Sequence, residues 1–284
     1  MAERNQMQQS QSIGRRVGQQ PAIGRTNYKG INDGDGRGSQ RPGRNGEPSV
    51  HGQSSFNKIL AGLPATSIKR LRPHMREISV AKDDYLYQVD EPVKSVHFPL
   101  TSVISKFQIL EDGRTIEVAL VGNESAVGLP AAFGSYGAVN CSQVCARGAM
   151  IKIDSEALGD ELARDPWVAQ KVHDAVAAQM RQLSQKVICN TFHTVEQRFC
   201  TWLLELQARS RMPGLRVTHE HIARVLGVHR PSVTCIAQHL REMGLIDYSR
   251  GLIIIRDRKG LEDSACICSR EMGLEMSASP AQVF

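Results

Sequence analysis

A chain of 284 residues, 41% hydrophobic and 23% charged, is long enough for two ordinary domains with cores of their own, and its formal charge of +6 permits a nucleic-acid partner without demanding one. No apolar run is long enough to span a membrane, and the N-terminus lacks the apolar centre of a signal peptide. Seven cysteines, an odd number scattered over a long chain, do not make a secreted disulfide framework, so a cytoplasmic protein with reduced thiols and no membrane partner is expected.

Residues 1–53 are rich in Gln, Gly, Arg, Asn and Ser and nearly devoid of apolar side chains. They cannot bury enough surface to offset the entropy of ordering them, so a disordered tail is expected, basic by eight Lys/Arg to four Asp/Glu. Its Asp33-Gly-Asp35-Gly-Arg37 run fails as a calcium loop, because Arg37 stands where an oxygen ligand is needed. No Gly-Lys-Ser/Thr follows to make a phosphate loop.

A short helix is predicted from Phe56 to about Ser67, after which β-type runs take over. These are Val80, Tyr85–Tyr87, Val96–Phe98, Val103–Phe107 and Ile116–Leu120, separated by turn signals at Lys82–Asp84, Asp90–Pro92 and Glu111–Gly113. Met150–Ile153 closes the series. Short strands at close, regular spacing predict a β-barrel or jelly roll over 54–165.

Asp165-Pro166-Trp167 opens a long helix, with Asp165 as N-cap and Pro166 in its first position. Val168, Val172, Val176, Met180, Leu183 and Val187 recur at four, four, four, three and four residues along it, close to the stripe of a two-stranded seam. The same stripe also suits a helix lying on the barrel. Residues 166–190 make this helix and the start of a hinge that runs from Asn190 to Thr194. The next domain, 191–270, is anchored by Phe199 and Trp202, and 271–284 is a C-terminal tail.

Residues 217–255 are the most informative. Thr218 can cap a helix whose apolar stripe is Ile222, Val225 and Leu226, and Gly227 supplies the positive φ of a sharp turn. A second helix begins near His229–Pro231, buries Val233, Ile236, Ala237 and Leu240, and ends at Gly244. Its outward side holds Pro231, Cys235, Gln238 and Thr234, with Arg230 at its start and no acid before Glu242. Ile246–Tyr248 and Leu252–Ile254 then flank Ser249-Arg250-Gly251, a hairpin with Arg250 at its tip. This is a winged helix-turn-helix. From Arg209 to Gly260 it carries ten Lys/Arg against four Asp/Glu, which a helical hairpin serving only as core does not explain.

The run Thr218-x-Glu220-x-Ile222-Ala223-x-x-Leu226-Gly227-Val228-x-Arg230-x-x-Val233, then Leu240-x-x-Met243-Gly244-Leu245-Ile246 and Arg250-Gly251-x-Ile253, resembles the DNA-binding domain of Crp/Fnr regulators. The resemblance implies an α+β protein: an N-terminal double-stranded β-roll of the cyclic-nucleotide-binding type, a long dimerisation helix and a C-terminal winged helix-turn-helix. It favours a homodimer over Val168, Val172, Val176, Met180, Leu183 and Val187, reading two half-sites of double-stranded DNA. Arg230 is the expected reader of a guanine edge and Gln238 of an adenine, with His229, Ser232 and Thr234 beside them. Thr218, His219 and Arg250 are expected on phosphates. RNA polymerase is a candidate further partner.

The chain departs from the family in two places. The usual Arg-Glu-x-x-x-Arg readers become Arg230-Pro231-x-x-x-Cys235, so two base-reading positions lose their charged heads. In the roll, Leu129 follows Gly128 where a ribose-binding Glu is usual, and Asn140-Cys141 falls where an Arg-Ser pair would meet a cyclic phosphate. Cyclic AMP is therefore not expected to bind, and no residue identifies another effector. No cysteine precedes Cys141, which speaks against an Fnr-type iron–sulfur cluster. Neither Cys141-x-x-x-Cys145 nor Cys266-x-Cys268 has a second pair near it in sequence, so neither a metal nor a cofactor is expected. His219, His221, His229 and His239 are read as DNA-facing or solvated. Two rival classes remain: a small-ligand sensor module acting through protein partners, which would lack a cationic reading face, and an enzyme, for which no Gly-x-Ser-x-Gly, His-Glu-x-x-His or phosphate loop is present.

Overall fold

A computed structural model of the chain describes residues 57–135 and 137–268; the expected tails at 1–53 and 271–284 lie outside these. Helix α1 (Lys58–Ala61) is capped by Asn57, whose side chain accepts from the N–H groups of Ile59 and Leu60. Pro64 separates it from α2 (Ala65–Leu71). The single helix predicted here is two, because proline has no N–H and cannot continue a helix.

Strands β1 (Met75–Val80), β2 (Tyr85–Tyr87), β3 (Ser95–Pro99), β4 (Val103–Ile109), β5 (Thr115–Val121), β6 (Cys141–Ala146) and β7 (Gly148–Asp154) form the roll. One sheet has the order β1-β7-β3 and the other β2-β6-β4-β5, all antiparallel. Val80, Ile104, Val121, Val144 and Met150 fill the space between them. β6 was not predicted, since Cys-Ser-Gln-Val-Cys-Ala lacks a β-branched or aromatic run. It nevertheless lies inside its sheet, buried along nearly its whole length.

Two helices follow, α3 (Ser155–Arg164) and α4 (Pro166–Phe192). Asp165 caps α4 as expected, accepting from Trp167 N–H. α4 runs through Asn190, so the break in the chain is at His193 and Thr194 rather than from Asn190 onward. Thr194 and Gln197 then make a capping box that starts α5 (Val195–Ser210).

The C-terminal domain adds β8 (Gly214–Arg216), α6 (His219–Leu226), α7 (Arg230–Glu242), β9 (Ile246–Ser249), β10 (Leu252–Ile255) and α8 (Arg258–Ser264). Its sheet has the order β8-β10-β9. The domains share a core: Phe107, Leu120 and Cys145 of the roll pack with Phe199, Trp202, Leu203, Ile222 and Val225. Among the described residues no helix is long and apolar enough to cross a membrane.

Candidate nucleic-acid interface

The helix-turn-helix forms where its local chemistry requires. Thr218 Oγ1 accepts from His221 N–H at 3.1 Å to start α6, and Gly227 ends it with φ of 65°. α7 turns Val233, Ala237 and Leu240 inward and leaves Arg230, Pro231, Ser232, Thr234, Cys235 and Gln238 exposed. His229 sits at its N-cap, exposed, with no side-chain capping bond. The wing closes in a two-residue turn in which Arg250 (φ 47°) and Gly251 (φ 76°) both take left-handed backbone, the pairing of a type I′ hairpin. Holding a non-glycine residue in that region costs about 1–2 kcal/mol, and it places an arginine at the exposed tip.

The cation surplus is partly committed within the chain. Arg256 pairs with Asp247, Arg258 with Glu262, and Arg209 with Glu124, while the Arg224 guanidinium lies 5.0 Å from the Phe107 ring. Arg230 and Arg250 have no such side-chain partner among the described residues. Gln238 donates to Glu242 Oε1 at 2.9 Å, a bond that must open before the amide can meet a base.

Two histidines are not where the sequence placed them. His219, expected on a phosphate, is only 9% exposed. Its ring stacks on Tyr248 of the wing at 4.2 Å, and its Nδ1 lies 3.0 Å from Thr234 Oγ1 on α7. It therefore fixes α6, α7 and the wing to one another, and burial, with Arg230 nearby, holds it below its ordinary pKa. His221, expected to be DNA-facing or solvated, is buried between Phe107 and Trp202 with Nε2 3.6 Å from Cys145 Sγ. Both lie on the inward side of a helix only eight residues long, where the apolar stripe has no room to exclude them.

Burial pushes His221 down to about 4, and His97 inside the roll likewise. Both are neutral in the fold but bind protons from pH 6.5 downward once unfolded, so stability is lost as pH falls from about 6.5 towards 4. Each contributes about 1.4 kcal/mol per pH unit over that window. In urea titrations across it, His221→Leu is expected to reduce the slope by about 1.4 kcal/mol per pH unit; an unchanged slope would contradict the assignment.

Residues 197–264 match the family model described as the Crp-like helix-turn-helix domain. These residues are a Crp-like helix-turn-helix domain. Over about two thirds to three quarters of its length the chain has the fold of Crp/Fnr regulators. It resembles the structure of FixK2 from Bradyrhizobium japonicum with a TM-score of 0.59 at 21% identity, over 68% of this chain and 98% of that one. A crp/fnr-family transcriptional regulator from Eubacterium rectale aligns at TM-score 0.61 and 19% identity, over 75% and 98%. The c-di-GMP-responsive regulator CLP of Xanthomonas campestris aligns at 0.58 and 17%, over 68% and 100%. No curated protein matches the chain. The resemblance read from residues 218–253 is borne out at the level of domain and fold.

The Crp-like domain is held to the roll by polar contacts around Glu124. Glu124 accepts from Arg209 at 2.8 Å and from Gly122 N–H at 3.0 Å. Arg209 overrides the cost of burial and holds its carboxyl below the ordinary carboxylate range. Leu129 is buried at the start of a short 3-10 turn, Asn140 donates to Gln108, and Cys141 is packed in the shared core.

The stripe on α4 divides in two. Val168 and Val172 are fully buried against the roll of their own chain, beside Leu71, Phe98 and Leu158, and cannot belong to a seam with a second copy. Val176 is half-buried, whereas Met180, Leu183 and Val187 are exposed. Steps of four residues overshoot a turn of 3.6 by about 40° each, so the stripe winds from the roll-facing side onto the open side between Val168 and Met180. Cys266 and Cys268 have no partner pair nearby in sequence, yet the fold sets them against Cys189 and His193.

Proposed function

We propose that the protein is a DNA-binding transcriptional regulator that acts as a homodimer on a two-fold-related site, with a roll that does not take cyclic AMP. The observation that carries this is the exposed outer face of α7, free of acids before Glu242, headed by Arg230 and flanked by Arg250 at the wing tip. Two such faces, joined through Val176, Met180, Leu183 and Val187, would meet successive major grooves about 34 Å apart. Arg230 reads a guanine edge, with Ser232, Thr234 and Gln238 further along the helix, while Thr218, His229 and Arg250 meet the backbone. His219 supports this face from behind. RNA polymerase is the partner through which such a regulator would act on transcription. Fold alone does not name the effector: CLP, of the same fold, is c-di-GMP-responsive.

Genome-wide mapping of the tagged protein should return a two-fold-related motif with half-sites one helical turn apart. Against that motif, Arg230→Ala should lose about 1–3 kcal/mol, on the order of 10- to 100-fold, while binding to unrelated DNA changes little. Arg250→Ala should weaken binding to every sequence alike and reduce the salt slope by about one. Equal losses of Arg230→Ala on all sequences would make it a phosphate contact and remove the proposed reader.

A further inference from the structure

Four soft donors meet where the long helix ends. Cys189 lies on the last turns of α4 and His193 is its C-cap, four residues on and so on the same side of the helix. Cys266 and Cys268 arrive from the other end of the domain, directly after α8. The three sulfurs and one ring nitrogen all lie within 4.8 Å of one another, and the three cysteines are buried as a cluster apart from the apolar cores. Cys189 Sγ is 3.8 Å from Cys266 Sγ, and Cys268 Sγ is 3.7 Å from His193 Nδ1. Ligands placed tetrahedrally about 2.3 Å from a zinc ion stand about 3.8 Å apart, so the donors already keep the spacing of a coordination shell.

The surroundings fit the same purpose. Thr201 Oγ1 lies 3.1 Å from Cys266 Sγ and also accepts from Cys266 N–H at 3.1 Å, fixing that ligand's backbone and sulfur together. Arg198 is held by Asn190 at 2.7 Å and by the Leu226 carbonyl at 3.2 Å, while its buried Nε has no partner among the described residues. Its positive charge lies within range of Cys189 and Cys266. A divalent ion with three thiolates and a neutral imidazole carries one net negative charge, which this guanidinium balances.

We infer that Cys189, His193, Cys266 and Cys268 form a tetrahedral Cys3His site for a divalent zinc-class ion. Three thiolates and an imidazole select zinc over magnesium or calcium. Cysteine binds zinc as the thiolate, so binding releases thiol protons to solvent. The ion would pin the end of α4 to the segment after α8 and hold the Crp-like domain at one angle to the helix that carries the exposed stripe.

The full chain, purified under reducing conditions, should carry one zinc per polypeptide by plasma mass spectrometry. Cobalt exchanged into it should show the intense visible bands of tetrahedral thiolate coordination. C189S, C268S and H193A should lose both signals, and H193C, which restores a fourth ligand, should keep them. Thr201→Val should weaken zinc binding about 10- to 100-fold in competition with a chromophoric chelator. A wild-type chain that takes up neither zinc nor cobalt overturns the site, as does a Cys189–Cys266 disulfide in the metal-free protein. Full zinc content in C189S and C268S, with native circular dichroism, places the ion elsewhere and overturns it too. The wild-type and H193C measurements decide the matter even if the serine variants fail to fold.

Discussion

Leu183→Glu combined with Val187→Glu is expected to turn a dimer into a monomer and to lower affinity for a two-fold DNA site by about 100- to 10,000-fold, because the second half-site is then no longer bound intramolecularly. The expectation rests on a face that no described residue of its own chain covers. Met180 is 66% exposed, Leu183 47% and Val187 60%, and all three lie within a narrow sector of the helix; Ile188 and Phe192 are exposed too, but on another side. Burying a Leu, Met or Val side chain is worth about 1.5–3 kcal/mol, and a symmetric seam doubles each. Two glutamates per helix replace that gain with four clustered negative charges. Sedimentation should show the mass halve with circular dichroism unchanged. Val172→Glu should behave differently: it buries a charge inside one chain, so its thermal midpoint should fall instead of its dimer simply parting. A double variant that remains dimeric and binds its site normally would move the seam off this helix.

That contrast also marks how far the sequence could be read. The helix-turn-helix was legible nearly residue by residue, because Thr218, Gly227 and the Arg250-Gly251 turn are local requirements of backbone geometry. The α4 stripe was legible as a stripe but not as two faces, since neither face is defined until the roll is in place. β6 was hidden because its burial comes from the strands on either side, not from its own composition. His219 and His221 were misplaced for a related reason. A polar side chain on a short helix is assigned outward by pattern, whereas here Tyr248, Thr234 and the roll supply partners that make the inward position acceptable. The Cys266-x-Cys268 pair has its complement at Cys189 and His193, more than seventy residues upstream, and no local rule reaches that far.

The junction between the roll and the Crp-like domain was likewise invisible in sequence, and it supports the largest expected change in stability. Glu117 on β5 and Glu205 on α5 are both fully buried, and Lys186 on α4 stands 3.6 Å from one and 3.5 Å from the other. Ser105 and Trp202 also donate to Glu117, and Arg209 lies 3.7 Å from Glu205. Removing one partner of a buried pair leaves an uncompensated charge, so Lys186→Met should destabilise the protein by about 3–5 kcal/mol at neutral pH. Glu117→Leu/Lys186→Met should recover most of this, since Arg209 still faces Glu205 and no unpaired charge remains on β5. The pH dependence separates this cause from ordinary loss of packing. Burial holds the Glu117 pKa above its ordinary value, so between the two values the folded state binds the proton that the unfolded state has lost, and stability rises as pH falls. Without Lys186 that value moves higher still, and the deficit of Lys186→Met should shrink on acidification. The buried histidines act in the opposite direction, but equally in both proteins, so the difference between variant and wild type at each pH isolates the carboxylate. A deficit below about 1 kcal/mol, or one independent of pH, would mean that Lys186 and Glu117 do not pair across this junction.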